Sequence, residues 1–285
     1  MILIHDETCA EYVVLGHPER PARVSSTVRH LRRVFPGLPE ERPRAATNEQ
    51  ILAAHTRDHL DRIRKPEDFD ADTKYVEGIA DHAALAAGAA ITAVDSALLG
   101  KAAFSLMRPP GHHACRSLAM GFCYVNNVAV AALHARRRGI GRIAVWDFDA
   151  HHGNGTEEIL RDVADTLVVS VHQYPGYPGT GLESGRSILN YPVDPGADPQ
   201  VHLEILESSW ESVVKFRPEL ILVSAGFDAY RGDPLTDMTL EREDFCTLGE
   251  WCRTAPAPVA AALEGGYSDD LPELVEAYLR GWGWK

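Results

Sequence analysis

The sequence is short of the features that mark several protein classes. Only five cysteines occur in 285 residues, an odd number with no Cys-x-x-Cys pair, which argues against a disulfide framework and against a zinc finger. No stretch approaches the roughly 18 uninterrupted apolar residues of a membrane span. The amino-terminal MILIHDETCAEY lacks both the basic flank and the apolar length of a secretion signal. Positive charge is scarce: 28 Lys and Arg face 41 Asp and Glu, for a net charge of −13. A chain this acidic is poorly matched to phosphate backbones or anionic lipid, so neither nucleic acid nor a membrane is expected as a partner. Hydrophobic residues at 45% and charged residues at 24% lie near the globular average, which excludes a disordered or fibrous chain. The expectation is a globular protein of a reducing, cytoplasmic compartment, forming a single domain over residues 1–285.

Short β-rich runs alternate with helical stretches. The runs are MILIH, 102–107, 142–149, 166–172, 219–228 and 258–267. Helical spacing of apolar residues marks 79–100, 122–138, 200–216, 240–254 and 272–281. The alternation predicts an α/β fold, mainly a parallel sheet with helices on both faces. The Pro- and Gly-rich stretch 174–185 reads as a shaped surface loop.

Polar clusters follow the ends of the predicted strands. His112 and His113 come after 102–107, the stretch Asp147–Asn154 ends the run at 142–149, Asp228 ends 219–228, and Tyr267 closes 258–267. In open α/β sheets ligands bind outside the carboxyl ends of the strands, so these clusters are expected to share one rim. Asp149 and His151 are two residues apart, which on an extended segment points both side chains the same way. With Asp228 they supply three N/O ligands suited to Zn²⁺, Fe²⁺ or Mn²⁺, with a position left open for water. A histidine backed by a carboxylate or amide, as His112 and His113 are if Asp147 and Asn154 lie near, is an oriented acid or base. Tyr267 offers a phenol to a developing oxyanion. Cys123, among apolar neighbours, reads as buried.

Seven collinear motifs together resemble the zinc-dependent histone deacetylase family, in its class II-like and bacterial amidohydrolase branch. They are GHPERPAR (16–23), RPPGHHA (108–114), GFCYVNN (121–127), DFDAHHGNG (147–155), PGTG (178–181), SAGFDA (224–229) and EGGY (264–267). The resemblance implies the arginase/deacetylase fold and hydrolysis of an acyl-amide, either N-acetyl-lysine or a small acetylated amine. It implies one Zn²⁺ held by Asp149, His151 and Asp228. His113 would serve as general base and acid, His112 backed by Asp147 would stand beside it, Asn154 would orient His113, and Tyr267 would bind the carbonyl oxygen. A K⁺ ion is implied at Asp147, Asp149, His151, Ser170 and Val171. Gly121, Phe122 and Tyr177 would wall the acyl tunnel, and Arg23 would line an acetate-exit cavity. An acidic residue of the 68–72 loop (Asp68, Asp70 or Asp72) would clamp substrate. Asn154 stands where nuclear members carry Asp. Leu235 stands where polyamine-selective members carry an acidic gatekeeper, which favours an acyl-lysine or small amide. Two alternatives are an arginase-like enzyme with two Mn²⁺, for which further carboxylates beside Asn154 and Asp228 are wanting, and a silent acetyl-ligand binding module.

Overall fold

Residues 1–285 are all described by the computed structural model. Its strands are β1 (Ile2–Ile4), β2 (Glu40–Glu41), β3 (Ala103–Ser105), β4 (Ile143–Asp147), β5 (Thr166–Gln173), β6 (Ile188–Val193), β7 (Leu220–Ala225) and β8 (Val259–Leu263). They form one sheet in the order β2-β1-β3-β8-β7-β4-β5-β6, and every neighbouring pair is parallel. All residues of β4, β7 and β8 are buried, which is why these central strands read as unbroken apolar runs. The edge strands lacked that signal. Two exposed glutamates form β2, and β6 alternates buried with part-exposed residues and tolerates Pro192 because it lies at the sheet edge.

Nine helices connect the strands: α1 (Ala22–Val34), α2 (Asn48–Ala54), α3 (Arg57–Arg62), α4 (Ile79–Leu98), α5 (Asn127–Arg137), α6 (Asn154–Leu160), α7 (Pro199–Lys215), α8 (Arg242–Arg253) and α9 (Leu271–Gly281). Helices α4 and α5 pack on each other and reach β3, β8, β4 and β7. Elsewhere Trp146 of β4 meets Trp210 of α7 and Trp251 of α8, while Phe148 meets Tyr278 of α9. One continuous core results. The helix expected from Phe122 begins only at Asn127, where the Asn126 side chain accepts the Ala129 N–H as N-cap. Gly121 and Phe122 both have positive φ, 56° and 68°, which no helix accommodates.

The amino-terminal segment is strapped to the sheet by a buried ion network. Glu19 is 4% exposed and receives the guanidinium of Arg108 on both oxygens, Nε to Oε1 at 2.5 Å and Nη2 to Oε2 at 2.7 Å. Arg23 Nη1 donates to the same carboxylate at 3.3 Å, and the Tyr12 hydroxyl donates at 3.0 Å. The two cations outweigh the cost of burial and hold the Glu19 carboxyl below its ordinary range. Removing one partner of a buried pair strands the other charge without water. Glu19→Ala is therefore expected to lower unfolding stability by about 3–5 kcal/mol in urea denaturation, and an unchanged midpoint would contradict this account.

Candidate active site

Because the strands are parallel, their carboxyl ends share one edge of the sheet, and the polar clusters gather there. The ligand atoms of Asp149, His151 and Asp228 all lie within 4.8 Å of one another. His151 Nδ1 is 2.9 Å from Asp228 Oδ2 and 3.1 Å from Asp149 Oδ1. The two-residue spacing works by a different geometry from the extended one expected. Strand β4 stops at Asp147, and 149–151 is a bend in which Asp149 Oδ1 accepts the His151 N–H at 2.9 Å.

The remaining carboxylate contacts lock this arrangement. Asp228 Oδ1 accepts the Ala150 N–H at 2.9 Å, and Asp149 Oδ2 accepts the Gly265 N–H at 2.6 Å. A Cβ at position 265 would overlap the carboxylates of both Asp149 and Asp228, so glycine is required for the close approach. Both aspartates are fully buried, and their only ion-pair partners are histidines. Burial and the neighbouring Asp149 raise the Asp228 carboxyl above its ordinary range. Two buried carboxylates converging on an imidazole nitrogen, with no Lys or Arg to neutralise them, suit a divalent cation.

The histidine pair sits beside this centre. His113 Nδ1 is 2.8 Å from Asn154 Oδ1, while the Asn154 amide nitrogen faces Cys115 Sγ and Met120 Sδ at 3.3 and 3.5 Å. With the amide oxygen turned to the ring, Nδ1 carries the proton and Nε2 is left with its lone pair. Burial, then the proximity of His112 and His151, hold the His113 pKa well below its ordinary value. His112 is the opposite case. Its Nδ1 lies 3.1 Å from Asp147 Oδ2. Burial disfavours its charge, but Asp149 and Asp147 outweigh that and raise its pKa to about 10.

His113, His151, Tyr267, Gly121, Phe122, Tyr177 and Leu235 line a single cavity of about 530 Å³. The rings of His113 and Tyr177 meet edge-on at 5.0 Å, and those of Phe122 and Tyr267 at 5.6 Å. Burial keeps the Tyr267 phenol protonated by raising its pKa well above the ordinary value. Ser170 and Val171 lie near the carboxyl end of β5, beside Asp147 of β4, with the Ser170 hydroxyl 2.9 Å from His172 Nδ1. Of the acidic loop, Asp68 bonds Lys74 and the Tyr75 N–H, and Asp70 bonds the backbone of Asp72 and Thr73. Only Asp72 of the three lines the cavity. Arg23 lies over the Tyr267 ring at 4.6 Å and donates to Gly266 O at 2.7 Å. Cys123 is fully buried.

Several supporting residues were assigned no role from the sequence, although His17 and Glu264 lie inside the GHPERPAR and EGGY motifs. Thr73 Oγ1 accepts the Phe122 N–H at 3.1 Å, holding that residue in its left-handed conformation. The His17 ring packs edge-on against Phe122 at 4.4 Å and bonds Asp72 O at 2.9 Å. Glu264 is fully buried beneath the histidine loop. Each lies far along the chain from the residue it supports, so only the fold brings them together.

Sheet order and rim define the class, a hydrolase scaffold of the arginase/deacetylase fold. The family model for the histone deacetylase domain matches residues 17–281. An uncharacterized protein of Synechocystis is 40% identical over 92% of this chain and 91% of its own. A probable deacetylase of Archaeoglobus fulgidus is 36% identical over 94% and 81%. Among solved structures, the HDA15 HD domain superposes with a TM-score of 0.92 at 31% identity, covering 99% of this chain and 91% of that one. The chain belongs to the histone deacetylase family.

The ligand geometry yields a direct test. Gly265→Ala forces Asp149 and Asp228 apart and is expected to weaken Zn²⁺ binding about 10–100-fold in calorimetric titration of the folded protein. Unchanged affinity would show that the ion binds elsewhere.

Proposed function

We propose that this chain is a zinc-dependent deacylase that hydrolyses an acyl-amide, N-acetyl-lysine or a related small acetylated amine. One observation carries the reading: the cavity that receives His151 of the ligand set also receives His113 and Tyr267. Asp149, His151 and Asp228 would hold one Zn²⁺. Bound there, the ion would supply Lewis acidity toward the acyl carbonyl and would lower the pKa of water toward about 7.

The protein's own groups do the rest. His113 Nε2, unprotonated because Nδ1–H is given to Asn154, takes a proton from the attacking water and returns it to the departing amine. Asn154 bears no charge, so it fixes the ring's tautomer without holding a proton there by ion pairing. His112, paired with Asp147, places positive charge beside the reacting centre. The Tyr267 hydroxyl donates to the acyl oxygen as negative charge develops. Gly121, Phe122 and Tyr177 would enclose the alkyl chain between aromatic faces, and Asp72, which lines the cavity where Asp68 and Asp70 do not, would meet the substrate outside. Leu235 at the same cavity offers no carboxylate to a polyamine, which favours acyl-lysine. Arg23 would line the acetate exit.

A K⁺ ion would be held by Asp147, Asp149, His151, Ser170 and Val171. The main-chain oxygens of Asp149 and His151 accept no hydrogen bond from the protein, which suits such a cation. A single catalytic domain over residues 1–285 fits the continuous core. No helix is long and apolar enough to cross a membrane, and five free thiols suit the reducing cytoplasm. A single three-residue ligand set favours this reading over a two-Mn²⁺ arginase.

A fluorogenic acetyl-lysine assay on zinc-loaded protein tests the proposal. His113→Ala is expected to lose about 10²–10⁴-fold in kcat while zinc stays bound. Wild type no faster than the variant would leave a binding module without turnover.

A further inference from the structure

Glu264 presents an anomaly that the reaction as derived does not use. It follows the last residue of β8, has no exposed surface, and keeps one carboxylate oxygen, Oε1, without any hydrogen-bond partner. Burying a carboxyl group with an unmet oxygen costs free energy that an apolar side chain would not incur. The other oxygen is fully engaged. Oε2 accepts the Gly111 N–H at 2.7 Å and the His112 N–H at 3.1 Å, two successive amides of the histidine loop.

Those amides have no alternative partner, and the loop has little room to move. A Cβ on Gly111 would overlap the backbone of Val125 and Asn127, so the chain is hemmed in behind as Glu264 grips it in front. The grip is itself anchored, since the Glu264 carbonyl accepts from Arg23 Nη2 and that guanidinium also binds the Gly266 carbonyl. Arg23 lies over Tyr267. One residue therefore joins the backbone that carries the histidine pair to the backbone that carries the phenol.

We propose that Glu264 is a positioning residue: by accepting two consecutive amides it sets the direction in which His112 and His113 leave the loop, relative to Tyr267. The proposal rests on the deacylase reading for its kinetic consequence but not for its geometry. Glu264 is not a catalytic residue, because it is fully buried and absent from the cavity wall, and its one engaged oxygen is given to backbone amides. What the position requires is an acceptor in the right place, and a charge is not needed. Glutamine keeps that acceptor and leucine removes it.

The test uses the full chain with Zn²⁺ and compares Glu264→Gln with Glu264→Leu. Backbone hydrogen exchange over residues 108–114, followed by mass spectrometry, reads the grip without any substrate. Exchange of the folded Gln variant should match wild type, and that of the Leu variant should be faster. In acetyl-lysine hydrolysis, the Gln variant should restore kcat to within about threefold of wild type. The Leu variant should lose on the order of 10²-fold in kcat, the scale of a misplacement near 1 Å, with KM and zinc content unchanged. If Leu fails to fold, a Gln variant with fast exchange or a hundredfold lower kcat overturns the proposal alone. Equal exchange in wild type, Gln and Leu overturns it as well. Wild type without hydrolytic activity but with the Gln–Leu difference in exchange would sink the deacylase reading and leave the positioning role standing.

Discussion

The Glu19 carboxylate, enclosed by the guanidinium groups of Arg108 and Arg23, is the interaction on which the rest of the molecule leans. It joins three segments far apart in sequence: the amino-terminal loop, the loop leading to the histidine pair, and, through Arg23, the Glu264–Tyr267 turn. None of these is a regular element with its own hydrogen-bond ladder. Each is an irregular stretch at the carboxyl edge of the sheet, and irregular backbone there keeps one conformation only when outside partners satisfy its polar groups. Buried ion pairs add little net stability over an apolar core of the same shape, yet they punish any other arrangement severely. That asymmetry suits a site whose parts must meet within tenths of an ångström.

A second constraint is electrostatic. Asp147, Asp149, Asp228, Asp233 and Glu264 are buried at one end of the sheet; histidines face the first three, and backbone amides serve Asp233 and Glu264. Burial, then the charge of Asp228, raises Asp233 to about 7, and burial raises Glu264 likewise to about 7. A protein selected only for stability would have no reason to concentrate carboxylates where water is excluded. Within this concentration Asp149 and Asp228 are oriented as the ligands of a cation would be, each with one oxygen committed to the Gly265 or Ala150 amide.

Much of this was legible in the sequence, and the reasons are specific. Strands β4, β7 and β8 announced themselves because burial on both faces demands unbroken apolar runs. Parallel pairing then placed Asp149, His151, Asp228, His113 and Tyr267 on one rim without any knowledge of their contacts. The edge strands β2 and β6 were silent, one being two residues long and the other half solvated. Helix α5 started late because the helical periodicity of 122–138 carries no information about positive φ at Gly121 and Phe122. The 149–151 pair converged as expected, but through a bend closed by the Asp149 side chain. Thr73 and Glu264 act through backbone N–H groups of distant segments, and His17 through the Asp72 carbonyl and the Phe122 ring; no spacing rule connects residues so far apart in the chain.

The left-handed backbone of Phe122 has a further consequence. A bulky L-residue there is intrinsically disfavoured, and it persists because Thr73 binds its N–H while His17 and Tyr267 pack against its ring. Its ring is restrained by packing, since swinging it aside would break the edge contacts with both His17 and Tyr267. That stretch of the cavity wall thus has a fixed gauge, set by main-chain geometry before any guest arrives.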